Sequence, residues 1–180
     1  CIEAIMDEWK IQGKTQYPHS KDLFKVNPAT KLLSEQQHES FHRCVGKLLH
    51  LARHRRPDIL CSVVFLSSRA NEPNEDDWKK LMQLLKYLNN TPELGLCLQP
   101  DRDGKLRLQC YCDASFNVHE GAKSHGGIYI TFGGGGVVCK SYKIKVAPKS
   151  TAESELNVLS DATSLLVHDR EFAIESQIIC

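Results

Sequence analysis

Residues 106–116 read LRLQCYCDASF, and their spacing decides the second half of the chain. Leu106, Leu108, Cys110 and Cys112 alternate with Arg107, Gln109, Tyr111 and Asp113, the period of two that a strand with one packed face produces. Cys110 and Cys112 then count as small apolar residues on one face of that strand. Downstream, GGIYITFGGGGVVCKSYKIK (126–145) holds two β-rich runs around four glycines. It reads as a hairpin, because tight turns ask for positive φ. The glycines precede no helix, so a phosphate cradle is set aside.

The next stretch, KSTAESELNVLSDA (149–162), has helical spacing. Ser150 and Glu153 fit the S-x-x-E capping box, which folds Glu153 back onto the Ser150 amide. With Glu155 as the zero of a helical wheel, Leu159 falls near about 40°, Ala162 near about 340° and Leu166 near about 20°. Glu155 thus shares a side with residues that must pack. A buried lone carboxylate is costly and asks for a partner such as a divalent cation. The other reading places Glu155 at the helix edge, in water. Asp113, read as the end of its strand, is the candidate companion carboxylate.

Upstream of residue 101 the period is helical. Ile2, Ile5, Met6 and Trp9 mark a short amphipathic helix. Ser34 and Gln37 have capping-box spacing before Phe41, Val45, Leu48 and Ala52, and Pro57 interrupts that helix before a restart through DILCSVVFLSSRA. Asn74 is an N-cap, Glu75, Asp76 and Asp77 suit the positive end of a helix dipole, and Trp78, Leu81, Leu85 and Leu88 form the stripe. The order is helices, then β-β-β-α.

Composition sets the outer bounds. The 180 residues are 41% hydrophobic and 25% charged, with formal net charge +1. That suits a packed core, and bulk charge alone argues for no polyanionic partner. No apolar run is long enough for a membrane span, and CIEAIMDEWK has acids where a signal peptide carries bases, so a soluble, intracellular protein is expected. The 8 cysteines lie mostly far apart with no CxxC pair, which argues against zinc or a disulfide framework. A chain that opens on Cys and closes on SQIIC looks like a segment of something longer.

These motifs carry a resemblance. YCDASF through KSTAESELNVLSDA resembles the ribonuclease H region of copia-type retrotransposon polyproteins. There a strand ending in DAS or DAD is followed by an S-x-x-G hairpin, a lysine and an S-(S/T)-x-E-x-E helix start. The preceding RPDI element and the P-x-x-x-D-x-x-K-x-x-x-x-L-x-Y-L helix resemble the stretch that joins polymerase to ribonuclease H. The resemblance implies an α/β (α+β) fold: a helical thumb- or connection-like region over 1–100, then a truncated ribonuclease H-like mixed sheet with a packed helix over 101–180. It implies Asp113 and Glu155 as the first two carboxylates of a site that holds two Mg²⁺ ions and cuts RNA in RNA–DNA hybrids. It also places Ser150, Thr151 and Ala152 beside the substrate, where exposed amides can meet a phosphate or sugar. The implied partners are a hybrid nucleic acid and the remainder of the polyprotein, with no membrane, inside the cell or in the particle of the parent element.

The match also has gaps. The chain stops before the segment expected to carry a third carboxylate, and the aromatic-Asp-Asp hairpin of the polymerase is absent. Asp161 faces away from Glu155 on the wheel, and Asp169 lies more than three turns farther along. An isolated chain is therefore expected to be inactive, and a catalytically inactive nucleic-acid-binding or scaffolding remnant is the rival reading.

Two constellations remain. His38/His42 and His50/His54 are i,i+4 pairs, a spacing that can bind metal, but without a Cys or carboxylate in register they read as a wet basic face. Lys47, Arg53, Arg55 and Arg56 continue that face, either toward phosphates or as cations near a helix C-terminus.

Overall fold

The protein is described by a computed structural model over residues 2–176. The closing residues 177–180 and Cys1 lie outside the described residues. The chain divides into two units, Cys1–Gly95 and Leu96–Cys180.

The first unit is helical: α1 (Ile2–Trp9), α2 (Glu35–His54), a 3-10 turn (Pro57–Ile59), α3 (Leu60–Ser68) and α4 (Glu75–Asn90). The capping box on α2 forms as the spacing predicts. The Gln37 amide donates to Ser34 Oγ, and the Ser34 amide to the Gln37 side chain. On α4, Asn74 Oδ1 accepts from the amides of Asp76 and Asp77, and Asp77 returns the contact by accepting from the Asn74 amide at 3.1 Å. Asp77 is therefore a capping residue as well as a dipole charge. The core joins Phe41, Leu48 and Ala52 of α2, Val63 and Leu66 of α3, and Leu81, Leu84, Leu85 and Leu88 of α4, all buried. Each such Val, Leu or Phe side chain contributes roughly 1.5–3 kcal/mol by leaving water. Trp78 is only half-buried, with its ring 5.0 Å from that of Trp9. Residues 10–33 have little regular structure, yet α4 holds them. Lys80 donates to Lys25 O, Asn89 to Gly13 O and Asp76 accepts from Thr30.

The second unit is a three-stranded antiparallel sheet in the order β1-β2-β3, with β1 Leu108–His119, β2 Lys123–Phe132 and β3 Gly135–Lys143, followed by α5, Thr151–Glu175. Together the units make a mixed α/β fold. The glycine run is the expected hairpin: Gly133 and Gly134 link the Phe132–Gly135 pair, and Gly133 has φ +66. Positive φ at the first of two linking residues is the type II′ arrangement, whose twist matches the strands. The run has a second role. A Cβ on Gly133 or Gly135 would land 2.6 or 2.4 Å from the backbone oxygens of Gln99 and Cys97. The segment before the sheet lies against that turn, with the Gly134 amide donating to Gln99 O. This is why the unit begins at Leu96.

Helix α5 covers one face of the sheet, lying on β1 more than on β2. Val158 and Ala162 pack with Ala114, Ile128, Ile130 and Ile144, and Leu108, Cys110, Val138, Leu165 and Leu166 join at the margin. The helix can close because β2 has a glycine beneath it: a Cβ on Gly126 would sit 2.7 Å from Val158 Cγ2 and 3.1 Å from the Tyr142 ring.

Candidate functional site

Asp113 lies within β1, opposite Gly127, and not at the strand end as the sequence suggested. Its neighbour Ala114 packs into the helix-side core, so alternation carries the Asp113 side chain to the opposite, open face. It is exposed there. On the same face the ladder brings Ser115 opposite His125, and Gly127 opposite Ser141.

Glu155 is exposed on α5, which corrects its placement among the packed residues. The buried stripe is Ser154, Val158 and Ala162, at about 260°, 300° and 340° on the wheel that has Glu155 at zero. Leu159, used to orient that wheel, is 51% exposed. The error has a physical source. α5 carries apolar residues on two sides, and Leu156, Leu159, Val167 and Ile174 lie on the outer one. The edge position in water, the other reading of Glu155, is the one observed. Ser154 fits the closed approach because it is small and its hydroxyl meets Ser124 Oγ at 2.9 Å.

Ser150 is the N-cap of α5 and accepts from the Glu153 amide at 3.1 Å. Glu153 folds back one residue farther than a capping box requires, accepting from the Lys149 amide at 2.6 Å. Ser150 and Thr151 are exposed. Asp161 stands in water, where it accepts a hydrogen bond from Tyr142 at 2.6 Å. Burial, joined by that carboxylate, pushes the Tyr142 phenol well above its ordinary pKa. One Asp169 oxygen is buried without a hydrogen-bond partner.

The basic cluster does not hold together as one face. Arg56 is 1% exposed, and it is a structural residue. Its guanidinium grips Asp58 through Nε and Nη2 at 2.9 and 2.8 Å, and reaches the Thr91 carbonyl and hydroxyl at 2.7 Å each. It also stands 5.5 Å from the centre of the Tyr87 ring. Burial works against its charge, but the hydrogen bond and charge of Asp58 outweigh that and hold its pKa above the ordinary value. A guanidinium with its donors so engaged cannot also meet a phosphate. Lys47 pairs with Glu8 at 2.5 Å. Arg53 and Arg55 remain exposed. The His50 and His54 rings stack at 4.2 Å, and His38 reaches the Ala70 carbonyl at 2.8 Å.

One polar network was not anticipated from the sequence. His125 is 7% exposed, with Nε2 2.7 Å from Ser141 Oγ and Nδ1 2.9 Å from His119 Nε2. Burial, reinforced by His119, pulls the His125 pKa down to about 4. Its neighbour Ser124 accepts a hydrogen bond through Oγ from the Asn117 amide at 3.2 Å, where β1 departs from register. The available signal was parity: residues 125, 127 and 129 fall on the Asp113 side once the register is known.

Known proteins share much of this sequence. The chain is 34% identical over 164 residues to a putative transposon Ty5-1 protein of Saccharomyces cerevisiae, which covers 88% of this chain and 50% of that one. It is 31% identical over 123 residues to the retrovirus-related Pol polyprotein from transposon RE2 of Arabidopsis thaliana, covering 68% of this chain and 8% of that one. The chain belongs to the copia-type retrotransposon polyproteins. It is also similar to the secreted RxLR effector protein 161 of Plasmopara viticola, at 33% over 120 residues, 66% of this chain and 83% of the other. The chain thus spans half of the Ty5-1 protein and a small part of the RE2 polyprotein. No family model and no solved structure matches it.

Within the copia-type reading, the two upstream motifs that carry the resemblance meet in space. Arg56 and Asp58 of RPDI join Tyr87 of the following helix, whose hydroxyl donates to Asp58 Oδ2 at 2.9 Å. Asp77 of that helix caps Asn74 and pairs with Arg69, and Lys80 lies 4.6 Å above the Phe65 ring. These markers describe how the helical unit is held together.

Magnesium needs several oxygen ligands around one point. Asp113 and Glu155 are hard oxygen donors, but they belong to a strand face and a helix on opposite sides of the sheet. Among the described residues no group of three or more His, Cys, Asp or Glu side chains could hold a metal ion. The described residues alone do not fit a two-metal centre. No helix among them is long and apolar enough to cross a membrane.

Proposed function

We propose that the Leu96–Cys180 unit is the ribonuclease H-like part of its polyprotein, serving Mg²⁺-dependent cleavage of RNA in RNA–DNA hybrids during reverse transcription inside the cell. The observation that carries this is the placement of Asp113 on β1 and Glu155 near the start of α5, two elements that pack on each other, with both carboxylates in water. An exposed carboxylate remains available to a cation, whose other ligands a phosphate can supply, whereas one with internal partners does not. The reading requires the longer polyprotein to supply further ligands and bring the two acids to one site. No catalytic step is assigned to the chain alone. Ser150 and Thr151, exposed at the start of α5, and Arg53 and Arg55 on the helical unit are the groups left to contact the nucleic acid.

The test uses a polyprotein segment extended beyond residue 180, an end-labelled hybrid and Mg²⁺. Asp113→Asn and Glu155→Gln are each expected to reduce cleavage to background. Unchanged cleavage by Asp113→Asn would remove the assignment. A second reading, a non-catalytic nucleic-acid-binding or scaffolding piece, is favoured for the isolated chain by the placement of Asp113 on the sheet face turned away from the helix that carries Glu155. It predicts hybrid binding with no cleavage at any Mg²⁺ concentration.

A further inference from the structure

On the sheet face turned away from α5, Tyr111 of β1 stands directly opposite Tyr129 of β2. Both rings are left in water, 56% and 37% exposed. Tyr129 is held in place because it lies over Gly136, where a Cβ would come within 2.4 Å of the ring. The rest of this face is mostly short or polar: Gln109, Asp113, Ser115, His125, Cys139 and Ser141. It lacks the aliphatic carpet that a protein interface core needs.

Charge is segregated around it. Lys143 lies opposite His125 on the same face, about 13 Å along the strands from the tyrosine pair, and Lys145 and Lys149 follow it, all exposed. None of these lysines is in an ion pair among the described residues. Six of the unit's ten acids lie instead on α5, at Glu153, Glu155, Asp161, Asp169, Glu171 and Glu175, and Asp113 is the one acid among the strand residues of this face.

We propose that this face binds single-stranded nucleic acid, with bases stacking on Tyr111 and Tyr129 and phosphates meeting Lys143 and Lys145. Exposed rings on an open sheet beside cations offer what an unpaired base and its phosphate require. A duplex keeps its bases stacked on one another and cannot present them to a flat face. Asp113 is on the same face, two residues from Tyr111 on β1, and its charge opposes phosphate. The phosphates therefore run on the β2–β3 side, toward Lys143, while the bases turn in to the tyrosine pair. This binding goes beyond hybrid cleavage and does not use the Asp113 carboxylate.

The test is fluorescence anisotropy of the 180-residue chain with a labelled oligo-dT or oligo-U of about 10 nucleotides, and with a duplex of equal length. Single strands are expected to bind more tightly than duplex. Tyr111→Ala should weaken binding about tenfold, and Tyr111→Phe should retain it. Lys143→Ala, an exposed position opposite His125, should lower the slope of log affinity against log salt by about 0.7. Asp113→Asn should bind at least as tightly as wild type while abolishing cleavage in the longer polyprotein, so the two readings fail separately. Wild-type affinity in Tyr111→Ala, an unchanged salt slope in Lys143→Ala, or duplex binding as tight as single-strand binding would overturn the proposal.

Discussion

In the helical unit Arg56 and Asp77 are each 1% exposed and fully engaged by neighbours, whereas in the sheet unit Asp113, Glu155 and Lys143 all stand in water. Both sets look alike in sequence, as charged residues beside turns or at helix starts. The difference is what each side chain can still do. A buried ion with its hydrogen bonds filled fixes the local chain path and has nothing left for a ligand. An exposed carboxylate or ammonium adds little to stability and keeps its capacity to bind. Function is therefore to be sought first in the sheet unit, and the engaged charges of the helical unit, Arg56 and Asp77, are read as architecture.

The sharpest way to test that division is to remove Arg56. Arg56→Ala removes the guanidinium from Asp58 and Thr91, leaving Asp58 with the Tyr87 hydroxyl for a side-chain donor, and a loss of about 3–5 kcal/mol is expected in urea unfolding. A loss no larger than that of a surface substitution would dissolve the distinction. His125 is the sheet unit's own buried titratable group, faced by His119, Ser141 and Lys143. Its folded pKa of about 4 lies below the unfolded value of about 6.5, so the unfolded chain binds more protons between the two. Stability is complete above about pH 6.5 and falls as pH drops toward 4, by roughly 3 kcal/mol at the limit. His125→Gln should flatten that slope, as followed by unfolding midpoints against pH.

Smaller effects sharpen the packing side. Gly126→Ala pushes a methyl into the stiff Val158 side chain and is expected to cost about 1–3 kcal/mol, where an ordinary strand glycine would gain from the change. Asn74→Ala removes the cap from the Asp76 and Asp77 amides and should cost about 1 kcal/mol in thermal unfolding.

Much of this was legible in the sequence wherever the cause is local. Ser34 with Gln37, Asn74 ahead of its acids, the alternation from Leu108 and the glycine turn are all settled by residues within four positions of each other. Arg56 was not, because the HRRPD run looks like an exposed helix end. Its partners at Tyr87 and Thr91 are supplied by a helix some thirty residues later. Glu155 was misplaced because α5 has two apolar sides, and periodicity cannot say which one meets the sheet. Asp113 was found by motif, while its face depended on Ala114 packing under α5, a tertiary fact.

The most direct test of the division is equilibrium unfolding of Asp113→Asn beside wild type. If Asp113 is kept in water for binding rather than for the fold, the two midpoints should coincide. A loss of stability as large as that expected for Asn74→Ala would mean that Asp113 is structural, and the sheet unit would lose its claim to be the functional half.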